Sequence, residues 1–316
     1  MKLCISLATR GRPQQLIDTI TRSTANLVLP NTVFMVQLDE DDKDTINALA
    51  QAKLDPRVVF NIKPREDTIG EKWNRALAES ADLYLVAADD DPYITPAYDA
   101  KFLEAAKLFP EGIGMVYGHL ANASFTCAVS CTAKWAELTG YIFPEHFPYW
   151  FVDHWTDDVA RITGRISVAD VRTDQSRVGK TQEMREPGWW ATWFDAAHLI
   201  RRKQAFAIID KLDEPEWRKE LQRNSAPLVE YRSRWINQGV RNRNDEFTQW
   251  SGLDTKDERY LRLRDKAVDA IPSLLDGMPP EEQERYRKAL LVPCIVEAAW
   301  EHDEDRLKAA LGQWHQ

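Results

Sequence analysis

Residues 83–94 read LYLVAADDDPYI, an apolar run that continues directly into three adjacent carboxylates. The run 83–88 predicts a buried β-strand, because it is apolar throughout and ends in polar residues. Asp89, Asp90 and Asp91 repel one another at the end of that strand, so they must be solvated or neutralised by a positive charge. Carboxylates at the carboxyl end of a buried strand are typical of an α/β protein that binds its ligand at this edge.

Short apolar runs alternate with helical patterns through the N-terminal third of the chain. Strands separated by helices indicate βαβ units, and therefore a mostly parallel sheet with helices on both faces. We predict an α/β, Rossmann-like sheet that is followed by a helical C-terminal region. The predicted strands are 3–8, 32–38, 58–62, 83–88 and 114–117, and the predicted helices of this part are 14–27, 70–80 and 97–108.

Polar clusters stand at the ends of three predicted strands. Thr9 and Arg10 follow the first strand, 39–42 (DEDD) follows the second, and 89–91 (DDD) follows the fourth. Three interpretations of the DDD cluster stay open: a solvated turn closed by Pro92, a divalent cation held by hard oxygen ligands, or carboxylate acid–base chemistry. The neighbouring clusters at the same edge favour a cation that binds phosphates.

The 316 residues carry a net charge of −9, which argues against a nucleic-acid backbone as the main partner. This length suits one large α/β domain with an appendage, or two modest domains. The pattern is almost purely helical from residue 192 onward. We therefore predict a catalytic domain over 1–195 and a helical extension over 196–316.

No segment approaches the roughly 20 apolar residues that span a membrane, and the apolar run before Arg10 is too short for a signal peptide. We therefore expect a cytoplasmic protein without a membrane span. No second cysteine or histidine pair stands at zinc-site spacing, so the cysteines are expected to be reduced thiols. They are Cys4, Cys127, Cys131 and Cys294.

Three segments in this order resemble the nucleotide-sugar-binding half of GT-A glycosyltransferases, most closely the inverting family-2 enzymes. They are LCISLATRGRP, VFMVQLDEDDKDT and GEKWNRALAESADLYLVAADDDPYI. The family reads P-x-x-N-R after the first strand, D-D-x-S-x-D after the second, then a K/R-x-x-N helix and a strand that ends in D-x-D. The resemblance covers about residues 1–100, weakens through 165 and is absent beyond about 200. It implies a GT-A fold and the transfer of a sugar from a UDP- or GDP-type donor to an unidentified acceptor hydroxyl.

The resemblance also implies roles for single residues. Asp89 would face the ribose or the sugar and is a second candidate metal ligand, and Asp91 would bind Mn²⁺ or Mg²⁺ that bridges the diphosphate. The choice between Asp90 and Asp91 stays open, because Ala88 stands where the motif is commonly acidic. Asp39 would hydrogen-bond the base, although 39–42 lacks the usual glycine and serine. The remaining implied contacts to the nucleotide are Thr9, Arg10, Arg12, Lys72, Asn74 and Asp90.

A second acidic site lies in WTDDVAR, which begins at Trp155. The family takes its catalytic base from an acidic pair that opens a helix, so the resemblance implies Asp158 as the base with Asp157 beside it. The alternative is that the acids only cap that helix, which is expected over 158–163. The preceding aromatic residues suit stacking against a sugar or packing in the core, and they are Phe147, Tyr149, Trp150, Phe151 and Trp155.

Two histidines and three tryptophans have roles that the sequence leaves open. His198 and His154 are candidates for an additional metal ligand, with a structural histidine as the alternative. A polar, patternless stretch, 172–188, is expected to be a mobile loop. The tryptophans that follow it are a candidate lid over the bound donor or acceptor, and they are Trp189, Trp190 and Trp193.

The C-terminal helices are expected at 280–291 and 294–311, with Pro293 between them. One apolar stripe there predicts packing on the catalytic domain or on a second subunit, so a homodimer through these helices is one alternative. The stripe is Leu290, Leu291, Ile295, Val296, Ala299 and Trp300.

These patterns favour a metal-dependent glycosyltransferase. One alternative is a nucleotidyltransferase that acts on sugar phosphates, which would normally carry a glycine-rich loop after the first strand. TRGRPQQ has a single glycine where that loop needs several. The other alternative is a protein that binds a nucleotide sugar without turnover.

Overall fold

The computed structural model describes residues 1–118, 128–174, 187–242, 258–300 and 304–315. Within these ranges the strands form one sheet in the order β3-β2-β1-β4-β6-β5-β7. β6 runs antiparallel to both of its neighbours, and every other pairing is parallel. The predicted α/β fold with a mostly parallel sheet is therefore confirmed. The strands are β1 (Leu3–Ala8), β2 (Val33–Asp39), β3 (Val58–Lys63), β4 (Leu83–Ala88), β5 (Met115–Tyr117), β6 (Val129–Thr132) and β7 (Ile166–Val168).

Helices flank the sheet and form most of the C-terminal region. A short 3₁₀ helix, Arg75–Ala78, continues the third of them. The helices are α1 (Pro13–Thr24), α2 (Lys43–Gln51), α3 (Ile69–Asn74), α4 (Tyr98–Ala106), α5 (Ala133–Thr139), α6 (Val152–Thr163), α7 (Pro187–Ala196), α8 (His198–Asp210), α9 (Glu216–Asn242), α10 (Glu258–Asp269), α11 (Ile271–Leu275), α12 (Pro280–Trp300) and α13 (Glu304–His315).

The sheet separates two apolar clusters, because successive side chains of a strand point to opposite faces. Leu3, Ile5 and Leu7 of β1 pack on one face with side chains of α1 and α4. Cys4 points to the other face, where the cluster also contains Leu290 and other residues of the C-terminal helices. Helices therefore cover both faces. Leu290 and Leu291 of the predicted apolar stripe join the second cluster, in agreement with packing on the rest of the chain, which was one of the two alternatives. The side chains of Val296, Ala299 and Trp300 lie outside the described part of the structure.

Helix α3 is held in place by its first turn. Thr68 and Glu71 form a reciprocal capping box, in which each side chain accepts a hydrogen bond from the other's backbone N–H at 3.1 Å. Gly70 packs directly against the chain at Pro144, where an added Cβ would lie 2.3 Å from the carbonyl oxygen. This close approach helps to set the position of Lys72, two residues further along the helix.

Two helices are longer than the sequence predicted. α6 begins at Val152, so Asp157 and Asp158 lie inside the helix and do not cap it. The sequence did not indicate where α6 begins, because the residues before Val152 are prolines and aromatic residues without a helical pattern. α12 continues through Pro293, which the sequence placed between two helices.

The aromatic residues near α6 and α7 mostly form a core. Trp155 and Trp193, for example, lie with their ring centroids 6.3 Å apart. Burial therefore contradicts the candidate lid and most of the sugar-stacking set, and only Tyr149 and Trp150 of that set are half-buried. The buried residues are Phe147, Phe151, Trp155, Trp189, Trp190 and Trp193.

The remaining predictions concern the cysteines, the loop, a membrane span and the domain boundary. Cys4, Cys131 and Cys294 are free thiols, whereas Cys127 and most of 172–188 lie outside the described residues. Within the described ranges, every helix is too short or too polar to cross a membrane. The domain boundary between 195 and 196 stays a prediction.

Candidate functional site

A cleft opens at the carboxyl ends of β1, β2 and β4. Ala8 of β1 pairs with Ala88 of β4, so Thr9 and Asp89 leave the sheet side by side. Asp39, the last residue of β2, lies at the same edge. The charged side chains that line the cleft are Arg10, Arg12, Arg65, Lys72, Asp39, Glu66, Asp67, Asp89 and Asp90.

Asp89 is buried at the base of the cleft and is held from two sides. Its Oδ2 accepts a hydrogen bond from the Thr9 hydroxyl at 2.7 Å, and its Oδ1 accepts one from Arg12 Nη1 at 3.0 Å. Its backbone carbonyl accepts from the Thr19 hydroxyl of α1 at 2.7 Å. Burial raises the pKa of Asp89, and the contacts with Thr9 and Arg12 oppose that shift without cancelling it.

Asp39 is the second buried carboxylate of the cleft. Its Oδ1 lies 2.8 Å from Lys72 Nζ, and its Oδ2 accepts a hydrogen bond from Arg10 Nη1 at 3.0 Å. Arg75 adds a third cation at 3.5 Å. Three cations from two different segments therefore surround this one acid.

Lys72 joins the ends of β1 and β2. Its ammonium group donates to the Thr9 carbonyl at 2.6 Å as well as pairing with Asp39. Burial lowers the pKa of Lys72, and the Asp39 carboxylate opposes that shift. Asp39 therefore compensates for part of the cost of burying this ammonium group.

Arg10 also reaches the rim of the cleft. It forms a two-pronged pair with Asp41, with Nη1 and Nη2 donating to the two carboxylate oxygens at 2.7 and 2.8 Å. This hydrogen bonding lowers the pKa of Asp41 to about 2. The pair holds the guanidinium group of Arg10 at the mouth of the cleft.

The DDD cluster is divided by the structure. Asp89 and Asp90 line the cleft, and Arg12 lies 3.6 Å from a carboxylate oxygen of Asp90 as well as contacting Asp89. Asp91 follows directly but is not among the lining residues. Within the described ranges, no cluster of three or more His, Cys, Asp or Glu residues has the geometry of a metal site.

Asn74 does not lie in the cleft. Its amide nitrogen donates to the Phe143 carbonyl and to Glu145, both at 2.9 Å, and its oxygen accepts the backbone N–H of Ile142 at 2.8 Å. The residue therefore ties α3 to the segment 142–145. Its contact with the nucleotide stays a prediction.

Asp158 is enclosed between helices and does not line the cleft. Its Oδ2 accepts a hydrogen bond from Arg201 Nε at 2.9 Å, and its Oδ1 accepts one from the Ser233 hydroxyl. The Arg201 guanidinium lies 3.6 Å from the ring centroid of Phe194. Burial raises the pKa of Asp158, and Arg201 opposes the shift. The structure thus shows a buried ion pair, and the role of Asp158 as a base stays a prediction.

Asp157, the neighbouring acid, is also buried, but its arginine partners are partly exposed. It accepts hydrogen bonds from Arg161 at 2.7 Å and from Arg232 at 2.9 Å. Both guanidinium groups are about one third exposed, at 33% and 34%. Asp157 lies outside the cleft lining as well.

The histidines are not brought to the DDD cluster. His198 begins α8 and makes a ring-nitrogen contact of 2.9 Å with the Asp195 carbonyl, and its ring packs edge-on to Tyr286. His154 contacts Asp153 at 2.9 Å. Neither lines the cleft, and the role of His198 as a metal ligand stays a prediction.

Four charged residues around the cleft were missed by the sequence predictions. Three of them belong to the segment KPREDT, 63–68, at the end of β3. Polar residues at the end of a strand are the same signal that identified the other clusters. They are Arg65, Glu66 and Asp67. The fourth is Arg75, which contacts Glu66 and Asp39 from the 3₁₀ helix and has no sequence signal of its own.

Comparison with known proteins indicates the fold of this chain. Protein-family models and curated proteins give no match to the sequence. Among solved structures, S. aureus TarS 1–349 in complex with UDP-GlcNAc matches with a TM-score of 0.51 at 15% identity, over 100% of this chain and 92% of that chain. The same segment in complex with UDP matches with a TM-score of 0.43 at 14% identity, over the same shares of both chains. The first match shows a shared fold.

The buried pair of Asp158 and Arg201 predicts a large loss of stability when it is broken. Asp158→Asn leaves the Arg201 charge buried without its partner, so the free energy of unfolding should fall by roughly 3–5 kcal/mol. Asp157→Asn is the matched control and should cost about 1 kcal/mol or less, because its partners remain partly hydrated. Urea denaturation measures both values, and equal midpoints for the two variants would contradict the ion-pair assignment.

The raised pKa of Asp89 predicts that replacing this acid by a neutral residue increases thermal stability, and that the increase depends on pH. Ionisation of this buried acid costs stability, so the wild type loses stability as the pH rises from the ordinary Asp range through the raised pKa. Asp89→Asn does not ionise, and its partner Arg12 is 20% exposed and also close to Asp90, whereas Arg201 beside Asp158 is buried. Arg12 can therefore lose the Asp89 charge at little cost, and Asp89→Asn should melt above the wild type at pH 7. The difference between their melting temperatures should shrink toward pH 4. A difference that is constant with pH, or of opposite sign at pH 7, would show that Asp89 is not destabilised by its charge.

Proposed function

We propose that this chain is a glycosyltransferase that moves a sugar from a nucleotide-diphosphate sugar to an acceptor hydroxyl. The observation that carries the proposal is the cleft itself. Cations and carboxylates converge there from the ends of β1, β2 and β4, which is where α/β sheets bind nucleotides. Ion pairs with the acids hold the cations in place before any ligand arrives.

The cations suit a diphosphate. Arg10 and Arg12 leave β1 on the same loop, and each guanidinium group offers several donors in a fixed plane, which matches phosphate oxygens. Arg12 is 20% exposed, and its Nη1 lies 3.6 Å from the nearest carboxylate oxygen of Asp90. A phosphate oxygen could replace this long contact with a shorter one. Asp39 would then accept hydrogen bonds from the base or the ribose, as the family resemblance implies.

The charge balance of the cleft supports a divalent cation. Four cationic and five anionic described side chains line it, so a diphosphate would add negative charge to a surface that has no surplus of positive charge. Mg²⁺ or Mn²⁺ needs only one or two carboxylates when phosphates and water complete its ligands. Asp90, with Asp91 next to it, would hold the ion. When bound, the ion supplies Lewis-acid stabilisation to the departing diphosphate.

The structural neighbour supports the choice of donor class. TarS shares this fold and is seen with UDP-GlcNAc, which is a nucleotide-diphosphate sugar. A UDP-type donor is therefore the first to test, with a GDP-type donor as the comparison. Tyr149, at the edge of the cleft, offers an aromatic face for a sugar ring.

The proposed reaction inverts the anomeric carbon. The acceptor oxygen forms a bond to that carbon while the bond to the diphosphate oxygen breaks, and the hydroxyl proton passes to a carboxylate. Asp158 remains our proposed base, assisted by Asp157. Asp158 is buried with Arg201 and Ser233, so an acceptor hydroxyl can reach it only if the surrounding helices move. A movement of α8 or α9 on acceptor binding would release it.

Binding of the nucleotide is expected to depend on a divalent cation. UDP at about 100 times its dissociation constant should stabilise the protein by roughly 2.7 kcal/mol with Mn²⁺ present, and by much less with EDTA. Asp90→Asn and Asp91→Asn should each reduce the part of the thermal shift that needs the cation. Glu104→Gln, an exposed change on α4, is the control. Equal shifts with Mn²⁺ and with EDTA would contradict the metal proposal.

The products of turnover distinguish the three candidate functions. With Mn²⁺ and a UDP-sugar, phosphorus NMR should show the release of UDP, accelerated by an acceptor or, slowly, by water. The initial sugar product should have the inverted anomeric configuration. Formation of UTP and sugar 1-phosphate from added pyrophosphate would instead identify a nucleotidyltransferase. Nucleotide binding without any product would identify a binding protein, and a retained configuration would exclude a single-base inverting mechanism.

A further inference from the structure

Helix α9 carries an exposed apolar stripe. Its five large members are between 64% and 74% exposed, which is unusual for aromatic and aliphatic side chains that share one helix face. A contiguous exposed patch of this kind marks an interaction surface far more often than single exposed residues do. The α9 stripe is Trp217, Leu221, Leu228, Tyr231 and Trp235.

The opposite face of α9 is fixed to the rest of the molecule. Ala226, Ser233 and Asn237 are buried, and the helix packs against α6, α7 and α8. Arg202 of α8 adds an ion pair with Glu230 at 2.6 Å. Because this face is anchored, the α9 stripe cannot turn inward without separating α9 from its neighbours.

The spacing of the α9 stripe is that of a helix-pairing seam. With Asn224 included, successive members are four, three, four, three and four residues apart, which repeats the a and d positions of a heptad. The seam runs about 27 Å along the helix at 1.5 Å per residue. A single polar residue such as Asn224 within a seam is a known device for selecting one pairing.

The seam is complementary to itself in an antiparallel pair. The two-fold axis of such a pair lies near residue 226, so the two residue numbers in every layer add up to the same value. Each layer then places an a position of one copy against a d position of the other. The layers are Trp217 with the partner's Trp235, Leu221 with the partner's Tyr231, and Asn224 with the partner's Leu228. A two-fold axis that maps one patch onto itself is the usual basis of homodimers.

We propose that the α9 stripe is the contact surface for a second copy of this chain, with the two α9 helices antiparallel. The charged positions beside the seam support this occupant. Glu220 precedes the seam residue Leu221, and Arg234 follows Tyr231 by three residues, so each Glu220 lies beside the partner's Arg234. The two-fold axis produces this attraction twice.

The other flank of the seam does not oppose the pairing. It brings Arg218 beside the partner's Arg232, but both guanidinium groups already have acidic partners in their own copy. Arg218 lies 3.8 Å from Glu214, and Arg232 lies 2.9 Å from Asp157. The repulsion between the two arginines is reduced accordingly.

The area is appropriate for a reversible dimer. Three aromatic and two leucine side chains with most of their surface exposed would bury on the order of 600 Å² per copy, against about 800 Å² in a standard interface. The dimer is therefore expected to dissociate on dilution. Sedimentation velocity of the full chain over a range of micromolar concentrations measures this dissociation.

A charge placed in the seam tests the surface directly. Leu228→Glu should raise the dissociation constant of the dimer about a hundredfold, because it buries a carboxylate in each of the two central layers, where residue 228 faces the partner's Asn224. Leu108→Glu, at an equally exposed leucine after α4, is the control and should leave the constant unchanged. Both sites are exposed, so both variants should melt with the wild type. A wild-type monomer at all concentrations, or a dimer that Leu228→Glu leaves intact, would overturn the proposal.

Charge reversal tests the antiparallel register. Glu220→Arg and Arg234→Glu should each weaken self-association about tenfold, because each puts like charges opposite one another twice. An equimolar mixture of the two variants restores both attractive pairs and should associate as tightly as the wild type. A mixture that stays as weak as its components would overturn the register.

The main competing occupant is an anionic membrane surface, which also attracts a helix with aromatic residues and arginines. Sedimentation with vesicles of phosphatidylglycerol separates the two. Membrane binding would be strengthened by Glu220→Arg and weakened by Arg234→Glu, whereas the dimer is weakened by both. Vesicle binding with that charge dependence, in a protein that stays monomeric, would replace the dimer with a membrane site.

Discussion

Two buried carboxylates, Asp39 and Asp89, impose the condition on which the rest of the site depends. Charges removed from water must be matched by opposite charges, and both acids stand at strand ends from which they cannot withdraw. The matching cations are Arg10 and Arg12 from the loop after β1 and Lys72 from α3. The path of that loop and the position of α3 are therefore coupled to the carboxylates.

The same condition relates stability to binding. The ion pairs keep the cations at the cleft when it holds no ligand, so a phosphate group meets donors that are already oriented. Burial raises the pKa of Asp89, so keeping this one acid ionised at the cleft costs stability. Proteins retain such costs where a site requires them. Asp158 and Arg201 meet the same requirement between helices, away from the cleft, with a ring of Phe194 against the guanidinium group.

The sequence predicted the part of the structure that short-range patterns determine. β1 and β4 match their predicted bounds, because each is an apolar run with polar residues directly after it. β6 and β7 were missed, since three or four residues are too few to show a period. Pro293 was expected to end a helix, but tertiary packing retains it inside α12.

The sequence identified candidate site residues by type and spacing, but not by partner. Seven of the eight predicted nucleotide contacts line one cleft, because parallel strands end at one edge. Asn74 and Asp158 differ because their environment depends on contacts across 68 and 43 residues, with Ile142 and Arg201. Such pairings are set by the packing of helices, which no local pattern encodes.

The central claim is that the charged cleft binds the diphosphate of a nucleotide sugar. A crystal structure with a UDP-sugar and Mn²⁺ tests it most directly. The account predicts phosphate oxygens within hydrogen-bonding distance of Arg10 or Arg12, the ion on Asp90 or Asp91, and the uridine beside Asp39. A nucleotide bound elsewhere, with the pairs between Arg12 and Asp89 and between Lys72 and Asp39 undisturbed and no phosphate beside them, would contradict it.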